Sequence, residues 1–196
     1  MNLKIKYNSP VVLTFALTSI AIFFINHLFW GDLDSSSEGL MRKFFVLRGV
    51  WNWDEPLNYF RLFSYSLGHA NAGHIAGNMS IFLLIAPIME EKYGSRNIAR
   101  MMIITILVTA IFQILLFDTN LVGASGLVFM FITLVSFANV EKGTIPLTFI
   151  LVALFYVGQE ILHSTENNQI SEYAHIVGGV MGGIFGFVIK ERKPHS

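Results

Sequence analysis

Gly123-Ala124-Ser125-Gly126 runs directly into Leu127-Val128-Phe129-Met130-Phe131-Ile132-Thr133-Leu134. A short loop with an acidic residue, Asp118-Thr119-Asn120, leads into the tetrapeptide. A serine at this junction stands at the N-terminus of a membrane helix. Unsatisfied N–H groups and the positive end of the helix dipole favour a developing negative charge there. The glycines and Ala124 leave the approach to Ser125 open to backbone or substrate. Taken alone, the tetrapeptide also fits a small-residue packing face between membrane helices. The rest of the chain decides between the two.

The 196 residues are 54% hydrophobic and only 13% charged, with a formal net charge of zero. That balance belongs to a polytopic membrane protein, and no basic surface for nucleic acid is present. There is no cysteine, which excludes disulfides, thiolate metal sites and cysteine catalysis. Eighteen phenylalanines and three tryptophans suit lipid and its aromatic belts, and sixteen glycines suit close helix contacts.

Pro10 to Phe29 is an apolar run long enough to span a bilayer and too long for a signal peptide, with Trp30 at its far interface. In the polar stretch from Gly31 to Ser66, Leu40, Met41, Phe44, Leu47 and Trp51 recur at helical spacing. They predict either a helix in the membrane interface or a soluble loop helix, broken at Asp54-Glu55-Pro56. Further spans are predicted over His74–Met89, Ile98–Phe117, Gly123–Val140, Pro146–Leu162 and Tyr173–Ile189, with a polar loop over Ser164–Ser171. The fold expected is all-α: six transmembrane helices in a single domain over residues 1–196.

Lys4, Lys6, Lys92, Arg96, Arg100, Lys142, Lys190, Arg192 and Lys193 fall at one membrane face; only Arg42, Lys43, Arg48 and Arg61 fall at the other. The positive-inside rule places both termini in the cytoplasm and the starts of spans two, four and six outward.

Polar side chains inside membrane spans are costly and point to function. His69, His74 and Asn78 open span two, Ser125 opens span four, and His175 lies one turn into span six. His74 and Asn78 are four apart, so they share a helix face. Each histidine alone also fits a hydrogen bond between helices. Gly178, Gly182 and Gly186 repeat every four residues, which suits close packing of span six against span four or a dimerisation seam. Packed on span four, that face brings His175 near Ser125. Ser125 is then the candidate nucleophile and His175 its general base. No carboxylate at this depth completes a triad: Glu160 and Glu172 lie at the rim. Phe129, one turn after Ser125, can stack on the imidazole. His74, Asn78 and the Ser125 N–H are candidate oxyanion donors. A zinc site is the rival use of three histidines, but no His-Glu-x-x-His helix occurs.

These residues resemble the rhomboid intramembrane serine proteases. His69-x4-His74-x3-Asn78, Gly123-Ala124-Ser125-Gly126 and Ala174-His175-x2-Gly178 stand in that family's order, supported by Arg61 in the first loop and Glu90 with Gly94-Ser95. The resemblance implies a six-helix bundle with a short central span four and a water-filled site open to the outside. It implies cleavage of single-span membrane proteins of the lipid bilayer near the outer membrane face, with no cofactor, no metal and no nucleic acid. His69, Phe129, Gly123, Gly126 and Gly178 take supporting places. The resemblance is to the minimal bacterial form, and so to a multi-pass inner-membrane protein with its site facing outward. Two positions depart from the family: Phe60 stands where tryptophan is usual, and Phe129 where tyrosine is usual. A non-catalytic relative that binds and escorts membrane proteins is the alternative, although such proteins typically lack the serine and histidine. A small transporter would require broken helices and internal symmetry, neither of which is evident.

Overall fold

The computed structural model describes residues 7–32, 39–137 and 172–190, together with positions 147, 150, 151 and 154. Among these the protein is helical, with one isolated antiparallel bridge, Leu47 with Leu121. The helices are α1 (Pro10–Trp30), α2 (Leu40–Phe44), α3 (Pro56–Ser64), α4 (Ala72–Tyr93), α5 (Ser95–Leu116), α6 (Ser125–Ser136) and α7 (Glu172–Val188). A 3₁₀ turn, Tyr65–Leu67, follows α3.

Three helices, α1, α4 and α5, are long and apolar enough to cross a membrane, while α6 and α7 are shorter and apolar. The predicted fifth span, Pro146–Leu162, and the loop Ser164–Ser171 lie outside the described residues apart from those four positions, all helical. Glu160 also lies outside them.

Helix α6 is apolar on almost every side, as suits a helix enclosed in a core or set in lipid. Nine of its twelve residues are indeed buried, among them Leu127, Met130, Phe131 and Leu134. Twelve residues make a rod of about 18 Å, well short of the roughly 30 Å hydrocarbon layer. It begins at Ser125.

The bundle is held at the opposite end by Glu90. Its carboxylate accepts the Val11 N–H at 3.1 Å and the Val12 N–H at 2.9 Å. Pro10 leaves no N–H of its own at the first helical position, and Ser9 makes no side-chain cap, so Glu90 satisfies the next two orphan donors of α1. Gly94 then turns the chain from α4 into α5 at φ 82°, a conformation costly for any residue with a Cβ.

The first loop differs from the single helix, interfacial or soluble, that its periodicity predicts. Helix α2 ends at Phe44, and the chain extends so that Leu47 exchanges both backbone hydrogen bonds with Leu121, at 2.9 and 2.8 Å. Gly49 permits this approach: a Cβ there would stand 2.2 Å from the Asp118 carbonyl carbon. Met41 and Leu47 are consequently in the core rather than at the interface. Pro56, expected to break a helix, instead begins α3 at its first position, where a missing N–H costs nothing. The aromatic surface of the loop is supplied by exposed Trp53, Tyr59, Phe60 and Phe63. Phe60 packs edge-on to Phe44 and Phe45, with ring centroids 6.5 and 6.3 Å apart.

Arg61, on the buried face of α3, is fully enclosed. Its Nε and Nη2 donate to the Lys43 carbonyl at 3.0 and 2.7 Å, and Nη1 donates to Glu55 at 2.7 Å and Asn58 at 2.8 Å. The hydrogen bond from Arg61 holds the Glu55 carboxyl below its ordinary pKa. A buried guanidinium is tolerable only with its donors met, and here it ties α3 to the end of α2.

Candidate active site

The tightest contact in the bundle lies between α6 and α7, and it is made by backbone. A Cβ on Gly178 would stand 2.0 Å from the Gly126 carbonyl oxygen, and one on Gly182 would stand 2.2 Å from that of Met130. Gly186 meets the Phe137 ring in the same way. The four-residue repeat on α7 therefore runs along α6 itself. A Cβ on Gly126 would come within 3.3 Å of the Ala174 carbonyl oxygen. Gly126 and Ala174 are the chain neighbours of Ser125 and His175. One turn further along α6, the Phe129 ring lies flat on the His175 imidazole, with centroids 4.2 Å apart and planes within 1°.

Ser125 is the first residue of α6, preceded by Ala124 as its N-cap, and is partly exposed while Ala124 and Gly126 are buried. The approach is shaped by Gly123, whose φ of 125° is open only to glycine. Its N–H donates to the Tyr65 carbonyl at 3.0 Å. A Cβ at this position would meet His74 Cε1 at 2.7 Å and Nε2 at 2.8 Å, and Asn78 Nδ2 at 3.9 Å. The two polar residues of α4 thus face the loop that presents Ser125.

The tautomer of His74 follows from its surroundings. The Ala70 N–H donates to Nδ1 at 3.4 Å, so a neutral ring carries its hydrogen on Nε2, on the edge of the ring that faces Gly123. Asn78 is buried, and its Nδ2 has no hydrogen-bond partner among the described residues. Two donors are therefore directed toward one place. Asn71 fixes the start of the helix that carries them, accepting the His74 N–H at 2.9 Å as its N-cap. His74 is also near enough to His175 for the two rings to interact electrostatically.

His69 lies in the loop before α4, packed edge-on to His74 with centroids 5.1 Å apart. Its Nδ1 meets the Leu67 carbonyl at 3.3 Å, which can only accept, so the hydrogen is on Nδ1. Burial, reinforced by His74, pushes its pKa down to about 4, so the ring is neutral. Among the described residues no group of three His, Cys, Asp or Glu side chains is placed to hold a metal ion.

Sequence reasoning missed several residues of this region. Tyr65 holds Gly123 through its carbonyl and reaches the Ile106 carbonyl through its hydroxyl at 3.0 Å. With Ser66, Thr105 and Thr109 it lines a cavity of about 10 Å³ that also touches Ser125. Gln113 joins the Thr119 carbonyl to the Tyr173 hydroxyl, linking the loop before α6 to the start of α7. The polar run Tyr65-Ser66 and the Thr105-x3-Thr109-x3-Gln113 row on α5 were the available signal, since such a row puts polar groups on one face of a membrane helix.

No curated protein matches the chain. A family model does: residues 56–192, most of the chain and every element just described except α1 and α2, match the Rhomboid domain. An integral membrane protein with these motifs on these helices therefore belongs to the rhomboid family.

Proposed function

We propose that this protein is an intramembrane serine protease that cleaves single-span membrane proteins with a Ser125–His175 dyad. The observation that carries it is the convergence at the α6 N-terminus. Phe129 of α6 stacks on His175, while His74 and Asn78 face the loop that presents Ser125.

In this mechanism Ser125 Oγ attacks the scissile carbonyl and passes its proton to His175. The oxyanion is met by the Ser125 N–H, His74 Nε2–H and the Asn78 amide, aided by the α6 dipole. His175 then protonates the leaving amine and later activates a water. A cavity of about 10 Å³ beside Ser125, bordered by hydroxyls, has the size of one water and is suited to supply it. His175 is oriented by its flat contact with Phe129. No metal or cofactor takes part.

The protein acts as a single domain of six spans over residues 1–196, with both termini cytoplasmic and the site opening outward. A bacterial inner membrane is the setting implied by the resemblance to the minimal bacterial form.

A serine-directed fluorophosphonate tests the reading. Peptide mass mapping should find the adduct on Ser125 alone, unchanged by a strong chelator and lost in His175→Ala. Absence of any adduct with several such reagents would instead favour a non-catalytic, escorting role.

The oxyanion assignment carries its own expectation. Asn78→Ala and His74→Ala should each lower kcat by roughly 10²-fold, the smaller end of the loss for one oxyanion donor, because the other donors remain. KM for a transmembrane substrate should change little. An effect confined to KM would make these residues substrate contacts.

A further inference from the structure

Arg42, Lys43, Arg48 and Arg61 are the cations that the positive-inside rule does not explain, and the fold gathers all four around one cleft. The cleft measures about 670 Å³, a ligand-sized volume. Glu55 is its acidic member, and Arg61 engages that carboxylate at 2.7 Å, with Arg48 more loosely at 3.5 Å. Arg42 and Lys43 make no ion pair among the described residues, and both are exposed. Among the described residues, four cations against one carboxylate leave the lining of the cleft positive.

Its depth is set by Trp30, the last residue of α1, which forms part of its wall. Leu40 and Leu57 also line it, so apolar surface lies beside the charge. A span-ending tryptophan marks the level of lipid headgroups. We infer that this cleft binds the phosphate of an anionic phospholipid in the leaflet facing Ser125, with Arg42, Lys43 and Arg48 as its donors. Arg61 is a framework group there, because its hydrogen bonds are spent on Lys43, Asn58 and Glu55. The site is separate from the proposed protease chemistry.

The protein's own tryptophans allow a local test. All three, Trp30, Trp51 and Trp53, lie at this end, and Trp51→Phe/Trp53→Phe leaves Trp30 as the only reporter. The full chain is placed in phosphatidylcholine bilayers containing brominated phosphatidylglycerol or brominated phosphatidylcholine of matched chains. Quenching of Trp30 then gives the relative affinity of the two headgroups at the cleft. Each Lys or Arg at an anionic surface contributes about fivefold in affinity. A preference for phosphatidylglycerol of tenfold or more is expected. Arg42→Gln/Lys43→Gln/Arg48→Gln should bring it to within about twofold of unity, with unchanged circular dichroism.

A preference near unity in the starting protein, or one that survives the triple substitution, overturns the assignment. Millimolar inorganic phosphate, at matched ionic strength, should not relieve quenching. If it does, the ligand is free phosphate and the lipid assignment is wrong. Relief by a soluble acidic peptide would reassign the cleft to a protein segment and likewise overturn it. Neither Ser125 nor His175 enters the measurement, so failure here leaves the proposed function standing.

Discussion

Ser125→Ala is expected to lower cleavage of a purified single-span substrate by about 10⁶-fold, leaving only the small residual rate that binding and the oxyanion donors support. The hydroxyl is the bond-forming atom of the proposed reaction, and nothing else at the α6 N-terminus replaces it. His175→Ala should fall as far, because serine is a weak nucleophile until a base takes its proton. The double substitution should fall no further than either single one, since a nucleophile and its base act as a unit. Phe129→Tyr should hold or raise the rate, because the stacked ring at 4.2 Å is kept and a hydroxyl is added. The measurement is gel-resolved cleavage in proteoliposomes, with helical content checked by circular dichroism. Retention of a hundredth of the activity by Ser125→Ala would place the nucleophile elsewhere.

The second large effect is steric and separates two faces of α7. A Cβ at Gly178 would lie 2.0 Å from the Gly126 carbonyl oxygen, so Gly178→Ala requires α6 and α7 to part by about 1 Å. Overpacking of that kind costs roughly 1–3 kcal/mol. The displacement is applied beside Ser125 and His175, where a shift of about 1 Å can cost on the order of 10²-fold in rate. Gly182→Ala, facing the Met130 carbonyl oxygen at 2.2 Å, should lose stability comparably. Gly179→Ala and Gly183→Ala are the counterpart. Their added methyls meet Thr133 at 3.5 and 3.9 Å, ordinary contact distances. Helix propensity favours alanine over glycine by about 1 kcal/mol, so these two should be neutral or slightly stabilising. Thermal unfolding and cleavage rate of the four variants test the pattern. Equal behaviour of Gly178→Ala and Gly179→Ala would mean that α7 does not pack on α6 through this row.

The same physics explains how Arg61 and the first loop behave. Periodicity over Leu40, Met41, Phe44, Leu47 and Trp51 is a property of nearby residues, and it predicted one helix. The chain instead stops at Phe44 because Leu47 has a backbone partner in Leu121, far along the sequence. The place of Arg61 in the first loop was readable, but its enclosure was not. That depends on the Lys43 carbonyl, eighteen residues away, meeting Nε and Nη2 together.

What the sequence determined by itself is what depends on local composition. Apolar length specified α1, α4 and α5, because a bilayer selects runs of about 20 residues. The order of the His69–Asn78, Gly123–Gly126 and Ala174–Gly178 motifs specified the family. A four-residue glycine repeat announced a close contact but not the face it would meet. Tertiary structure alone decided that the partner is α6, whose Gly126 and Met130 carbonyls occupy the space a Cβ would need. It also decided which ring nitrogen of His74 faces Gly123, through the N–H of Ala70, and that Tyr65 supports the loop before Ser125. Hydropathy is summed along the chain and survives without a fold. A hydrogen bond or a 2.0 Å exclusion exists only once two distant segments have been brought together.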